Sequence, residues 1–215
     1  MQAAAGTTLT VVAVDAAFLV VDKPAGLLSV PGRGEAGRDC LAARVRSRYA
    51  DALTVHRLDM ATSGLVLFAR GAPAQRALSI AFAERRVGKR YQAVVSGIVA
   101  SDSGCIDAPL AADWPNRPRQ QVDPVRGKPS RTLWQVQARD PAAGRTRLLL
   151  EPVTGRSHQL RVHLASIGHP IVGDALYAPP ALAEGAARLL LHASALAFTH
   201  PTTDAALSYA SAAPF

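Results

Sequence analysis

Seven short runs of β-branched or alternating apolar residues, cut apart by Gly, Pro, Asp and Ser clusters, do most to limit how this chain of 215 residues can fold. They lie at Leu9 to Val14, Phe18 to Asp22, Gly64 to Ala69, Lys89 to Val99, Ser130 to Ala138, Arg145 to Pro152 and Leu189 to Phe198. Helical periodicity appears at Asp39 to Tyr49, with Leu41, Val45 and Arg48 on one stripe, and at Ala72 to Arg86, with Leu78, Phe82 and the stem of Arg85. A third helix is predicted from an N-cap at Ser157, with Leu160, Leu164 and Ile167 inward and Gly168 with Pro170 ending it. Many strands with few helices indicate an α+β domain around a mixed, mostly antiparallel central sheet with flanking helices. No repeat or long linker divides residues 1–215, so a single domain is expected. The irregular stretch Asp113 to Pro129 is long enough to be functional or disordered.

The 24 basic residues against 16 acidic ones give a net charge of +8, spread along the chain, so a folded basic surface and a polyanionic partner are expected. Cys40 and Cys105 form no CxxC pair, which argues against both a zinc ribbon and a secreted disulfide scaffold. The apolar opening lacks a basic n-region, carries Asp15 and runs into Lys23-Pro24, so it reads as strands and not as a signal peptide. No run approaches the ~20 apolar residues of a membrane-spanning helix. A soluble protein of the reducing cytoplasm with no membrane partner is expected. No apolar heptad or interface helix requires more than a monomer.

Three segments concentrate chemistry. In His56-Arg57-Leu58-Asp59-Met60-Ala61-Thr62-Ser63-Gly64 an acid lies between an arginine and two hydroxyls. Such an acid can be held ionised to serve as nucleophile or base; equally, Asp59 can close an Asx-turn with Thr62 and Ser63. In Gly155-Arg156-Ser157-His158-Gln159-Leu160-Arg161-Val162-His163 the two histidines are five apart, which diverges on a helix and puts them on opposite faces of a strand, so a zinc reading fails. Arg156 before a helix start and His158 beside Arg161 suit an anion, or simply a solvated helix start. Tyr91, at the basic start of a strand, can stack on a base or be half-buried core. Trp114, interleaved with Arg117 and Arg119 in a Pro-stiffened loop, has the same two readings, and the arginines favour RNA.

Together, His-Arg-Leu-Asp-x-x-Thr-Ser-Gly at 56–64, Lys-x-Tyr at 89–91, and Gly-Arg-Ser-His-Gln-Leu-Arg-Val-His with Gly-His-Pro-Ile-x-Gly-Asp at 155–174 resemble the ordered motifs of the RluA-type pseudouridine synthase family. Asp22-Lys23-Pro24-x-Gly-Leu and Leu190-Leu191-His192-Ala193 extend the resemblance over essentially the whole chain. It implies the pseudouridine synthase catalytic fold, here without an S4 domain. It also implies isomerisation of specific uridines in 23S rRNA and in the tRNA anticodon arm (position 32) by base flipping, with no cofactor and no metal. By the same resemblance Asp59 is the catalytic carboxylate and Arg161 the arginine that pairs with it. Tyr91 stacks on the target base, and Arg57 fills the space the flipped uridine leaves. Trp114, Arg117, Arg119 and Arg156 are added as RNA contacts from the residues alone. Two other classes compete. A non-catalytic RNA-binding or ribosome-assembly protein could keep the fold, and a nucleoside hydrolase would ordinarily need two carboxylates across the bond.

Overall fold

The computed structural model describes residues 9–215, so the first part of the apolar opening lies outside the described residues. The chain falls into two compact units, one formed by the residues up to Val87 with Ala197–Ser211, the other by Gly88–Leu196 with Ala212–Phe215.

In the first unit β2 (Phe18–Lys23) lies between β1 (Thr10–Val14) and β4 (Ser63–Arg70), antiparallel to both, with Phe18 opposite Ala69 and Lys23 opposite Gly64. β2 and β4 are buried along almost their whole length, which is why they read as continuous apolar runs and not as alternating ones. The short β3 (Ala52–Thr54) pairs with the end of β4. Helix α1 (Leu41–Arg48) is capped by Cys40, whose Sγ accepts from the Ala43 N–H, and it packs on β3. It buries Leu41, Ala42 and Val45 but leaves Arg48 exposed, so its stripe is shorter than the sequence suggested. Helix α2 (Ala72–Ala83) packs on β3 and β4. It stops before Arg85, which takes a left-handed φ of 62° and is exposed, so the Arg85 stem does not extend the buried face.

In the second unit β5 (Gly88–Ser96), β10 (Arg145–Pro152), β9 (Arg131–Asp140) and β6 (Ser103–Asp107) follow one another as antiparallel neighbours. β6 passes close beneath Trp134 at Gly104, where any Cβ would collide with the indole. The stretch expected to be irregular contains a two-stranded ribbon, β7 (Leu110–Ala112) with β8 (Gln120–Val122), in which Ala112 faces Gln120. Helix α3 (Gln159–Ser166) lies against β8, β9 and β10. Its N-cap is His158 in the left-handed conformation (φ 55°), not Ser157, and Ile167 beyond its end is 41% exposed. One-turn α4 (Pro180–Ala183) precedes β11 (Leu191–Thr199), which crosses the unit boundary after Leu196; β12 (Ala206–Ala210) pairs with it. The architecture is α+β. Among the described residues no helix is long and apolar enough to cross a membrane.

Candidate active site

In the first unit Asp59 sits on the loop joining β3 to β4, and this loop is held from four directions. β3 ends at Thr54, leaving the Leu67 N–H of β4 without a strand partner. The His56 ring takes its place, with Nε2 accepting that N–H at 2.8 Å while the ring stacks on Phe82 at 4.5 Å. Ser29 Oγ grips the next inward residue twice, donating to the Leu58 carbonyl at 2.7 Å and accepting from the Leu58 N–H at 3.0 Å. The Met60 carbonyl accepts from the Gly26 N–H at 2.8 Å and from Lys23 Nζ at 3.0 Å. The turn closes through the main chain, where the Thr62 N–H donates to the Asp59 carbonyl at 3.1 Å.

Lys23 is fully buried, and its ammonium also donates to the carbonyls of Pro24 and Leu27. A buried ammonium spending its donors on backbone is costly unless each is matched, and these matches tie the Lys23-Pro24 turn to the Asp59 loop. With Leu58 inward, Arg57 is exposed and Asp59 half-exposed. The loop therefore presents one cation and one carboxylate on a rigid backbone, as a reacting group needs.

The second unit carries the other assigned residues. Tyr91 lies on β5 opposite Leu150 and is half-buried. Arg161, on α3, is buried and forms a bidentate pair with buried Asp174: Nε donates to Oδ2 at 2.8 Å and Nη2 to Oδ1 at 2.7 Å. Asp174 Oδ1 also receives the N–H groups of Leu176 and Tyr177, and the Tyr177 ring lies 5.1 Å from the Arg161 guanidinium carbon. The turn before Asp174 requires Gly173, because it has φ 79° and a Cβ there would collide with the Arg188 carbonyl.

Six consecutive residues of α3 are buried, three of them polar, so their hydrogen bonds must be met inside the protein. Gln159 meets four. Its Oε1 accepts from Thr154 Oγ1 at 2.7 Å and the Arg156 N–H at 3.0 Å, and its Nε2 donates to the Arg131 carbonyl and to Thr132 Oγ1. Thr132 passes the chain to His163 Nδ1, while His163 Nε2 meets the Ala108 carbonyl at 2.9 Å. Burial holds the His163 pKa below its ordinary value, with the Ala108 bond and the Asp107 charge opposing that shift weakly. His158 Nδ1 bonds Tyr177 Oη at 2.6 Å. Both histidines of the motif thus have protein partners. Arg156 remains exposed, its Nε reaching only toward the Pro129 carbonyl at 3.4 Å.

Arg57 and Asp59 thus share one loop of the first unit, while Tyr91, Arg156 and Arg161 belong to the second, as do Trp114, Arg117 and Arg119 at the tip of the β7–β8 ribbon. Sequence reasoning missed Ser29, Gln159, Tyr177 and the pairing role of Asp174. Gln159 and Asp174 stand inside the quoted motifs, whereas nothing local marks Ser29 or Tyr177.

The profile of the family described as RNA pseudouridylate synthase matches residues 17–166. The chain belongs to this family. It is 48% identical over 207 residues to the dual-specificity RNA pseudouridine synthase RluA of Pasteurella multocida, covering 96% of this chain and 94% of that protein. Against the protein of the same name from Escherichia coli strain K12 it is 46% identical over 198 residues, covering 92% and 90%. Among solved structures, human RNA pseudouridylate synthase domain containing 1 superposes with a TM-score of 0.81 at 29% identity, covering 100% of this chain and 87% of that one. Human RNA pseudouridylate synthase domain containing 4, at 22% identity and a TM-score of 0.75, shares the fold. An RluA-type RNA pseudouridine synthase binds RNA and isomerises uridine within it. That activity accounts for the net charge of +8 and leaves the hydrolase reading without support.

Proposed function

We propose that the two units act as one catalytic domain in which Asp59 is the catalytic carboxylate, toward specific uridines of 23S rRNA and of the tRNA anticodon arm at position 32. The family match runs from the first unit into the second, and β11 belongs covalently to both, which supports one domain. The names of the bacterial relatives support two RNA classes, since both proteins are called dual-specificity. The observation that carries the assignment of Asp59 is its loop: Ser29, Lys23, Gly26 and His56 fix the backbone on either side of exposed Arg57 and half-exposed Asp59.

The reaction breaks the C1′–N1 bond of uridine, turns the base and joins C1′ to C5, with N1 gaining a proton and C5 losing one. Atoms and electrons balance with no redox partner. In this reading Asp59 takes a ribose proton to give a glycal-type intermediate, and Arg161, itself held by Asp174, pairs with Asp59. Tyr91 stacks on the base, and Arg57 fills the gap left in the RNA. Loop uridines are the cheapest to flip out, since least stacking is lost. Exclusion of water keeps the detached base from being lost. Arg156 contributes a phosphate contact. The enzyme works as a cytoplasmic monomer, which light scattering tests by giving the mass of one chain.

The test is release of tritium from [5-³H]uridine in large-subunit rRNA and tRNA transcripts, with Asp59→Asn as the paired variant. Release by wild type alone is expected. Turnover by the Asn variant would remove Asp59 from the chemistry; absence of release by wild type with RNA binding intact would favour a non-catalytic RNA-binding protein on the same fold.

A further inference from the structure

The tip of the β7–β8 ribbon holds an arrangement that the isomerisation itself does not use. Trp114 is 66% exposed, an unfavourable place for so large an apolar ring in a protein without a partner there. The Arg117 guanidinium carbon lies 4.3 Å from the indole centroid, a close cation–π stack. The tip is preorganised by its main chain: the Asn116 N–H donates to the Asp113 carbonyl at 3.1 Å, the Arg119 N–H to the Asn116 carbonyl and the Asp113 N–H to the Arg119 carbonyl, both at 3.0 Å. Asn116 Nδ2 donates to both carboxylate oxygens of Asp113, so the tip's one acid is engaged by an amide and not by either arginine. Among the described residues neither Arg117 nor Arg119 has an ion-pair partner, and both are exposed. The foot of the ribbon is anchored where the chemistry is assigned: the Gln120 N–H donates to Tyr177 Oη at 2.8 Å, and the Tyr177 ring lies over Arg161.

We propose that this tip is a stacking site for an unpaired nucleotide of the RNA loop that flanks the target uridine, with the base on the Trp114 face not covered by Arg117 and Arg119 on an adjacent phosphate. The inference rests on the reading that the enzyme acts on loop RNA. A flat aromatic and guanidinium platform whose two arginines stay out of ion pairs matches a base and a phosphodiester, whereas a peptide partner would need an apolar pocket that a bare ribbon tip lacks. Gln120 and Tyr177 tie the foot of the ribbon to Arg161, so the proposal gives the tip beyond that foot to neighbouring nucleotides and not to the reacting one.

The experiment uses full-length protein carrying Trp134→Phe, so that Trp114 is the only indole, titrated with a stem-loop RNA and with the same RNA made abasic at each loop position flanking the target. Quenching of Trp114 by the intact loop, lost for one abasic position, is expected. In the otherwise wild-type enzyme Trp114→Ala is expected to raise the KM for tritium release about tenfold, within the range of base–aromatic stacking, with a smaller change in kcat. Arg117→Lys keeps the charge but loses the planar stack, and is expected to weaken binding several-fold. No quenching, or a KM within twofold of wild type for Trp114→Ala, overturns the proposal. Wild-type tritium release beside an unaffected Trp114→Ala variant sinks the stacking site alone. Absence of wild-type release sinks the catalytic reading, and the fluorescence titration still decides the site.

Discussion

Gln159→Leu is the substitution whose cost follows most directly from the structure. Leucine is close to glutamine in volume, so no cavity opens, and the loss is confined to hydrogen bonds. Thr154 Oγ1 still accepts from the Arg131 N–H, and Thr132 Oγ1 keeps His163, so neither hydroxyl is stranded completely. Two groups lose their partner, the Thr154 hydroxyl proton and the Arg156 N–H, while the Arg131 carbonyl keeps the Val153 N–H at 3.0 Å. Thr154 keeps one bond and the Arg156 contact is only part-buried, so the low end of the penalty for an unsatisfied group applies. About 1 kcal/mol each gives about 2 kcal/mol in all. For a chain of this length that amounts to a fall in Tm of roughly 4–8 °C. Thermal unfolding followed by circular dichroism, with urea unfolding as a second measure, reads it out. Tritium release well below the new Tm is also expected to slow, because the loosened turn leads directly into the helix that carries Arg161. A Tm within about 2 °C of wild type would refute the claim that Gln159 organises this turn.

Arg161→Met leaves the Asp174 carboxylate buried without its cation and is expected to cost about 3–5 kcal/mol. The double variant Arg161→Met/Asp174→Leu is expected to recover much of this, and equal stability of the two variants would contradict the pairing. His56→Phe keeps the stack on Phe82 but removes the acceptor for the Leu67 N–H, for about 1–2 kcal/mol; hydrogen exchange at that amide is expected to quicken, and unchanged protection would count against the role. His163 has a folded pKa lowered by burial, so its neutral form favours the fold. That contribution is complete above the unfolded value of 6.5 and is lost as pH falls below it toward the folded pKa. A Tm profile from pH 8 to pH 5 is expected to drop on the acid side and to flatten there in His163→Gln; parallel profiles would exclude His163 as the source. RNA binding is expected to weaken steeply with salt as phosphate contacts release counterions, and a flat titration would contradict a phosphate-dominated interface.

The strongly patterned strands were legible because their burial is local in origin. β2 and β4 are covered on both faces and appear as unbroken apolar runs, and β10 begins and ends where its alternation does. Short elements escaped for the opposite reason. β3 and β8 have three residues each, too few to carry a period, and they exist because β4 and β7 offer them a ladder. The cap of α3 was misread as well. Ser157 has the better intrinsic capping side chain, but Gln159 folds back to take the Arg156 N–H, and the chain enters the helix through a left-handed His158.

By itself the sequence determined the fold class, the family and the chemically loaded segments, because residue type and spacing along the chain carry all three. Asp59, Arg161 and Tyr91 could be named before any coordinate. What the tertiary structure alone decided is how those side chains are held. Ser29 reaches Leu58 across 29 positions of sequence, Lys23 reaches Met60 across 37, and Tyr177 reaches Gln120 across 57. Such partners are chosen by proximity in the folded chain and by the need to satisfy every buried polar group, and neither is written in local spacing.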